Sequence, residues 1–173
     1  LHSFDADKIK EKIIVKTLDE GTTFTTLDDQ ERKLSDEDLM ICDSENPLCI
    51  AGVFGGKESG IDNNTKNIFL ESAYFDPVSI RKTAKRHALN TDASFRFERG
   101  VDPEIGLYAL KRAALLIKKY AGGLISSDIQ NEAKNVPTSH SIFLNYATLY
   151  QTLGFEFPKE TLTSILNALE IEI

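Results

Sequence analysis

Residues 51–102 contain the three blocks that decide the fold: AGVFGGK at 51–57, FLESAYF at 69–75 and RHALNTDASFRFERGVD at 86–102. The first is an apolar Gly-rich turn, the second an apolar run with a single carboxylate, and the third a concentration of Arg, Thr, Asp and Ser. Glycines in such a turn indicate a close approach of backbone to a neighbour, or positive φ values. A polar loop rather than a helix follows Gly55-Gly56-Lys57, which excludes a nucleotide-binding fingerprint.

Outward from these blocks, residues 11–75 predict strands and turns. The β-branched run at 13–15 and the Thr-rich segment 22–27 predict two paired strands joined by a turn at 19–21. Residues 39–42 and 48–54 flank a turn at 43–47 and predict a hairpin. Residues 67–75 predict one more, strongly apolar strand.

The remaining chain predicts helices. Asp76-Pro77 begins a helix that runs to about residue 88, and Asp102-Pro103 begins a second one that ends at Gly122-Gly123. Residues 124–130 predict a strand that returns to the sheet. We therefore expect a mixed α/β (α+β) domain at 1–133, with a layered, β-sandwich-like core and flanking helices. A linker at 134–140 and the beginning of a small helical domain at 141–173 follow.

Composition limits the function classes. No apolar run approaches the roughly 20 residues that a membrane span needs, and no Cys/His spacing matches a zinc site. The two cysteines, Cys42 and Cys49, are expected to be reduced and structural. The chain carries a net charge of −7, yet residues 77–119 hold ten Lys or Arg against four Asp or Glu. This basic segment fits either local contact with a phosphate backbone or a solvated helix face.

Glu71 is the charge inside the apolar run. Strand alternation places its side chain on one face with Phe69, Ala73 and Phe75. Because burying an unpaired carboxylate is costly, the group needs a partner. That partner is either Arg96 or Arg99 in an ion pair, or the hydroxyl of a ligand at the end of an apolar slot.

The same kind of pattern brings Thr91 and Ala93 to one side of an extended segment, with Asp92 and Ser94 on the other. His2 near the start of the chain has no obvious partner. No Ser-His-Asp triad or catalytic Cys is evident. If the domain hydrolyses an ester, it does so by positioning and hydrogen bonding.

Three separated blocks carry a family resemblance: LHSFD at 1–5, the Gly-rich turn at 51–56, and TDAS at 91–94 with FERG at 97–100. The chain resembles the bacterial phenylalanine–tRNA ligase beta subunits, in the region of their editing site. The match extends over residues 1–130, and more loosely over 131–173 as the next domain's opening. Ser3 stands where the family has Ala. The resemblance implies an excised fragment that lacks the family's preceding segment, which leaves one side of the pocket incomplete.

In that family this region removes tyrosine wrongly attached to the tRNA for phenylalanine. The resemblance implies that Glu71 recognises the tyrosine hydroxyl, with His2 and Thr91 as further catalytic residues. It implies substrate binding by Glu71, His2, Gly55, Phe54 and Ala93.

The resemblance also implies partners: tRNA(Phe), contacted by Arg86, Arg96 and Arg99, and an alpha subunit in an α2β2 heterotetramer. ATP and Mg²⁺ are implied for the complete enzyme, and no cofactor or metal for this fragment, in a cytoplasmic protein. Two alternatives stay open. One is a non-catalytic tRNA-docking or scaffold domain of the same subunit, and the other is a stand-alone small-molecule-binding protein.

Overall fold

The computed structural model describes residues 1–133 and 140–173, and it forms two compact units, Leu1–Lys134 and Asn135–Ile173. Antiparallel sheets and helices are both present, which confirms the α+β class. The predicted linker at 134–140 lies outside the described residues except for its last position. The domain assignment on either side of it stays a prediction.

The strands of the first unit are short. In chain order they are β1 (His2–Asp5), β2 (Ile14–Lys16), β3 (Thr23–Thr25), β4 (Glu31–Lys33), β5 (Met40–Cys42), β6 (Pro47–Ile50), β7 (Phe54–Gly55) and β8 (Ile68–Glu71). They form three antiparallel sheets: β1 with β8, β3 with β4, and a four-stranded sheet in the order β2-β5-β6-β7. A single bridge between Thr26 and Gly56 connects the end of the β3–β4 pair to the end of β7.

The predicted hairpin around residues 43–47 is confirmed as β5–β6. The predicted pairing of two strands around a turn at 19–21 is wrong. β2 pairs with β5, and β3 pairs with β4. The chain reverses at Asp28-Asp29 instead, where Asp29 adopts a φ of 61°. β4 consists of Glu31, Arg32 and Lys33, so it has no apolar alternation by which it could be predicted.

The core of this unit collects apolar side chains from all parts of the first 84 residues. Phe4, Met40, Ile50, Val53 and Ile80 are each at most 2% exposed. Burial of one such side chain contributes about 1.5–3 kcal/mol. The core therefore fixes β1, the central sheet and the first helix relative to one another.

Three helices complete the first unit: α1 (Pro77–Arg86), α2 (Asp92–Phe97) and α3 (Ile105–Ala121). The predicted start of α1 is confirmed, since Asp76 Oδ1 accepts a hydrogen bond from Ser79 N at 2.8 Å. α2 replaces the extended segment that alternation predicted at 91–94. The predicted strand at 124–130 is wrong: Gly122 and Gly123 both adopt positive φ, and Leu124 beyond them is 90% exposed with no strand partner.

The second unit contains α4 (Tyr146–Leu153) and α5 (Lys159–Ala168), as the sequence predicted. Tyr150 packs edge-on against Phe157, with ring centroids 5.5 Å apart, and its hydroxyl donates to the Phe157 carbonyl at 3.1 Å. Among the described helices of both units, none has the length and apolar character that a membrane crossing requires.

Candidate functional site

The pairing of β1 with β8 brings His2 directly opposite Glu71. Phe4 and Phe69 form the next pair on the same face, because side chains alternate along a strand. The His2 ring stacks on Phe4, with centroids 4.1 Å apart and an interplanar angle of 19°. Two residues that are 69 positions apart in sequence thus share one small face, with an aromatic floor.

The Glu71 carboxyl has an unsatisfied oxygen. Its Oε2 atom is buried and makes no hydrogen bond within the described residues. The ion pair with Arg96 or Arg99 that the sequence allowed is not formed: Arg99 Nη1 lies 2.6 Å from Glu98 Oε1, and Arg96 is exposed. A buried polar atom without a partner is rare in folded proteins, and it points to a group that a ligand satisfies.

Burial also sets the charge state of this face. It raises the pKa of Glu71 from 4.5 to about 7. It lowers the pKa of His2 below 6.5. At neutral pH the imidazole is therefore neutral, and the carboxyl is divided between its two forms. The pKa of the Cys49 thiol is raised, mainly by burial and also by the charge of Glu71, so this cysteine stays protonated beside the site.

Gly55 adjoins the same face. A Cβ atom at this position would lie 2.8 Å from Leu27 Cδ1 and 3.5 Å from His2 Cε1. The missing side chain therefore keeps open the space between Leu27 and His2. Phe54, the preceding residue on β7, projects to the opposite face by alternation and is partly buried against the core.

Thr91 is the N-cap of α2. Its Oγ1 accepts from Ser94 N at 3.0 Å and donates to the Val53 carbonyl at 2.7 Å. The hydroxyl therefore fastens α2 to the turn that precedes Phe54. Ala93 is exposed in the first turn of this helix. No hydrogen bond joins either residue to His2 or Glu71, so their roles toward a substrate stay predictions.

Sequence reasoning missed a charged network around Asp38, which is fully buried. Its carboxylate accepts from Ser35 N and Thr83 Oγ1, each at 2.9 Å, contacts Arg86, and lies 2.6 Å from His87 Nε2. Burial acts to raise the pKa of Asp38, but the hydrogen bonds from Ser35, His87 and Thr83 hold it below its usual value.

Arg86 Nη2 in this network also donates to Glu37 Oε2 at 2.5 Å, so the guanidinium is already engaged by two carboxylates. It is a poorer candidate for phosphate contact than the sequence implied. Asp38 itself lies in an acidic run, SDED at 35–38, that reads as a solvated loop. No signal in the sequence distinguishes it from its exposed neighbours.

Two open depressions lie on other parts of the surface. One is on α5, lined by Lys159, Glu160, Thr163, Ser164 and Asn167, and the other is beside α1, lined by Glu37, Asp76, Val78, Ser79 and Lys82. Neither contains a desolvated polar group, which the face around Glu71 does. Among the described residues, no three His, Cys, Asp or Glu side chains are grouped so that they could hold a metal ion.

Comparison with known proteins shows which sequences this chain resembles. The chain is similar to the phenylalanine–tRNA ligase beta subunits of Bacteroides thetaiotaomicron (55% identity), Porphyromonas gingivalis (50%) and Salinibacter ruber (44%). Each match covers 100% of this chain and 21% of the relative, so the chain spans about a fifth of the length of these curated relatives.

These matches confirm the resemblance drawn from the three sequence blocks. A family model described as the B3/4 domain matches residues 1–122, which include β1, β8, Gly55 and α2. That span is well over half of the chain. The chain therefore belongs to the B3/4 domain family.

Proposed function

We propose that this chain is the editing domain of a phenylalanine–tRNA ligase beta subunit and hydrolyses tyrosine mischarged onto tRNA(Phe). The single observation that carries the proposal is the buried Glu71 Oε2 without a partner, opposite His2 and beside the open space at Gly55. The relatives' names supply the reaction context, since they are ligases for phenylalanine and its tRNA.

Tyrosine and phenylalanine differ by one hydroxyl group. A site that only measures size cannot reject the smaller side chain strongly, whereas a buried polar group left unpaired by the wrong ligand can. The tyrosine hydroxyl would donate to the Glu71 carboxylate, and phenylalanine would leave Oε2 unsatisfied. A hydrogen bond to a charged acceptor contributes about 1.5–3 kcal/mol, or roughly one to two powers of ten in selectivity.

Hydrolysis of the ester would follow from positioning. His2 lies opposite Glu71 with a neutral imidazole, so one ring nitrogen can accept and the other can donate. We assign it to orienting the ester or the attacking water. Thr91 would act through α2, because its hydroxyl already donates to Val53. Ala93 would form the wall that this helix presents, and Phe54 would support Gly55 from the core side.

The remaining assignments concern the complete enzyme. tRNA(Phe) would be a partner, with the exposed Arg96 as the candidate contact, and Arg99 would contribute less because it pairs with Glu98. An alpha subunit, in an α2β2 assembly, would complete the ligase. ATP and Mg²⁺ would serve aminoacylation in that assembly and not in this chain.

Deacylation of Tyr-tRNA(Phe), with Phe-tRNA(Phe) as the control substrate, tests the proposal. We expect this chain to hydrolyse the tyrosyl ester selectively, and Glu71→Ala to abolish the selectivity. Glu58→Ala is the matched control, since Glu58 is an exposed carboxylate in the loop after Gly56. The assay is repeated with the chain inside a complete alpha–beta enzyme. Absence of tyrosyl hydrolysis there would contradict the editing function and favour a docking or scaffold role.

A further inference from the structure

We propose that Leu27 is a substrate-binding wall residue of this site and packs against the aromatic ring of the esterified amino acid. The inference rests on the proposed function and deepens it, because it assigns a residue that binds the ring and not the hydroxyl. Nothing in the sequence marks Leu27, which falls at the end of a Thr-rich segment.

The position of Leu27 follows from its contacts with Gly55. Its backbone N–H donates to the Gly55 carbonyl at 3.1 Å, and its Cδ1 atom lies 2.8 Å from the point where a Cβ of Gly55 would be. His2 Cε1 lies 3.5 Å from that same point, so the two atoms are at most 6.3 Å apart, the sum of these distances. The leucine methyl groups and the imidazole thus flank the same gap.

The side chain of Leu27 keeps exposed apolar surface next to Gly55. Leu27 is 51% exposed although it contacts a buried glycine, and it is not among the side chains that form or flank the core. Core packing therefore does not account for it. A half-exposed leucine beside Gly55 and His2 offers apolar surface that an aromatic ligand would cover, since burial of that surface would be favourable.

The turn that carries Leu27 is held in place on both sides. Thr26 is fully buried, and its Oγ1 donates to Asp28 Oδ1 at 2.5 Å. Arg32 donates through Nε to Thr26 Oγ1 at 3.0 Å, through Nη1 to the His87 carbonyl at 3.0 Å, and through Nη2 to Asp28 at 2.8 Å. This cross-link fixes the turn to the end of α1. A turn whose backbone is fixed before binding loses little entropy when the ligand arrives.

The effect on kinetics follows from the kind of contact. Leu27 touches the ring equally in the ground state and the transition state, so it supplies uniform binding. We expect Leu27→Ala to raise KM for Tyr-tRNA(Phe) about tenfold, with kcat within about threefold of the parent. Leu27→Met, which restores apolar volume, should recover most of the affinity.

The experiment measures kcat and KM separately for the chain, Leu27→Ala, Leu27→Met and Val15→Ala. Val15 is the matched control, an apolar residue on β2 that is 56% exposed. A tenfold rise in KM that Met reverses and Val15→Ala does not reproduce would support the assignment. Unchanged KM in Leu27→Ala, or a fall confined to kcat, would overturn it.

A second readout separates this inference from the proposed function. The Leu27 methyl NMR signals are followed while tyrosine amide, which carries no ester, is added to the chain. A saturable shift of these signals that is absent for Val15 supports the wall assignment even if no ester hydrolysis is found. Hydrolysis without any such shift would overturn the wall assignment and leave the editing function standing.

Discussion

Replacing Glu71 by Gln isolates the electrostatic state of the site, because the amide keeps the shape of the carboxyl and does not ionise. Burial raises the pKa of this group from 4.5 to about 7. Between these two values the folded chain holds a proton that the unfolded chain releases, so stability falls as pH rises. The slope is about 1.4 kcal/mol per pH unit, and the total from pH 4.5 to above 7 is about 3 kcal/mol.

The assay is urea unfolding from pH 4 to 8.5, followed through the amide signals of β1 and β8. The quantity of interest is the free energy of unfolding of Glu71→Gln minus that of the parent, since other groups cancel in the difference. We expect this difference to be constant below pH 4.5 and to increase by about 3 kcal/mol by pH 8. Glu58→Gln, at an exposed site, should show no such change. Parallel curves for Glu71→Gln and the parent would refute the desolvation argument.

Three further perturbations test the surroundings. Gly55→Ala should fold, because its Cβ meets a flexible Leu27 methyl, but should lower tyrosyl hydrolysis at least about tenfold; unchanged hydrolysis would mean that the gap is not used. Asp38→Ala should lower the free energy of unfolding by about 3–5 kcal/mol, and Glu37→Ala, at an exposed site, by less than about 1 kcal/mol. Similar losses in the two variants would contradict a special contribution from burial of the Asp38 network. Thr91→Ala should lower the free energy of unfolding by about 1–2 kcal/mol, measured by thermal unfolding, and Thr91→Ser should change it little. Equal losses in both variants would show that the Thr91 hydroxyl does not stabilise α2 as its N-cap.

The parts of the fold with strong local signals could be predicted from sequence. Asp76-Pro77 predicts the start of α1, and the turn around Asn46-Pro47 predicts the β5–β6 hairpin. The partner of β2 could not be predicted, because pairing between strands that are distant in sequence depends on the whole sheet. α2 was missed since a capping Thr followed by Asp-Ala-Ser also reads as an extended polar segment.

Some residues of the site could likewise be predicted from the sequence and others could not. Glu71 could be singled out, because one carboxylate in an apolar run demands an explanation. Its pairing with His2 depends on the β1–β8 register, and only the family resemblance connected the two beforehand. Leu27 and Asp38 could not be singled out from the sequence. A leucine at a turn and an aspartate in an acidic run look ordinary until their neighbours are known.

The most direct test of the account compares Glu71 with the tyrosine hydroxyl in a double-mutant cycle. kcat/KM for deacylation of Tyr-tRNA(Phe) and Phe-tRNA(Phe) is measured with the parent and Glu71→Ala. Both are placed in a complete ligase whose beta subunit carries this chain. We predict that the substitution lowers tyrosyl hydrolysis about 10- to 100-fold and phenylalanyl hydrolysis by less than about threefold, a coupling of about 1.5–3 kcal/mol. Equal losses for both substrates, or none for either, would contradict recognition of the hydroxyl by Glu71.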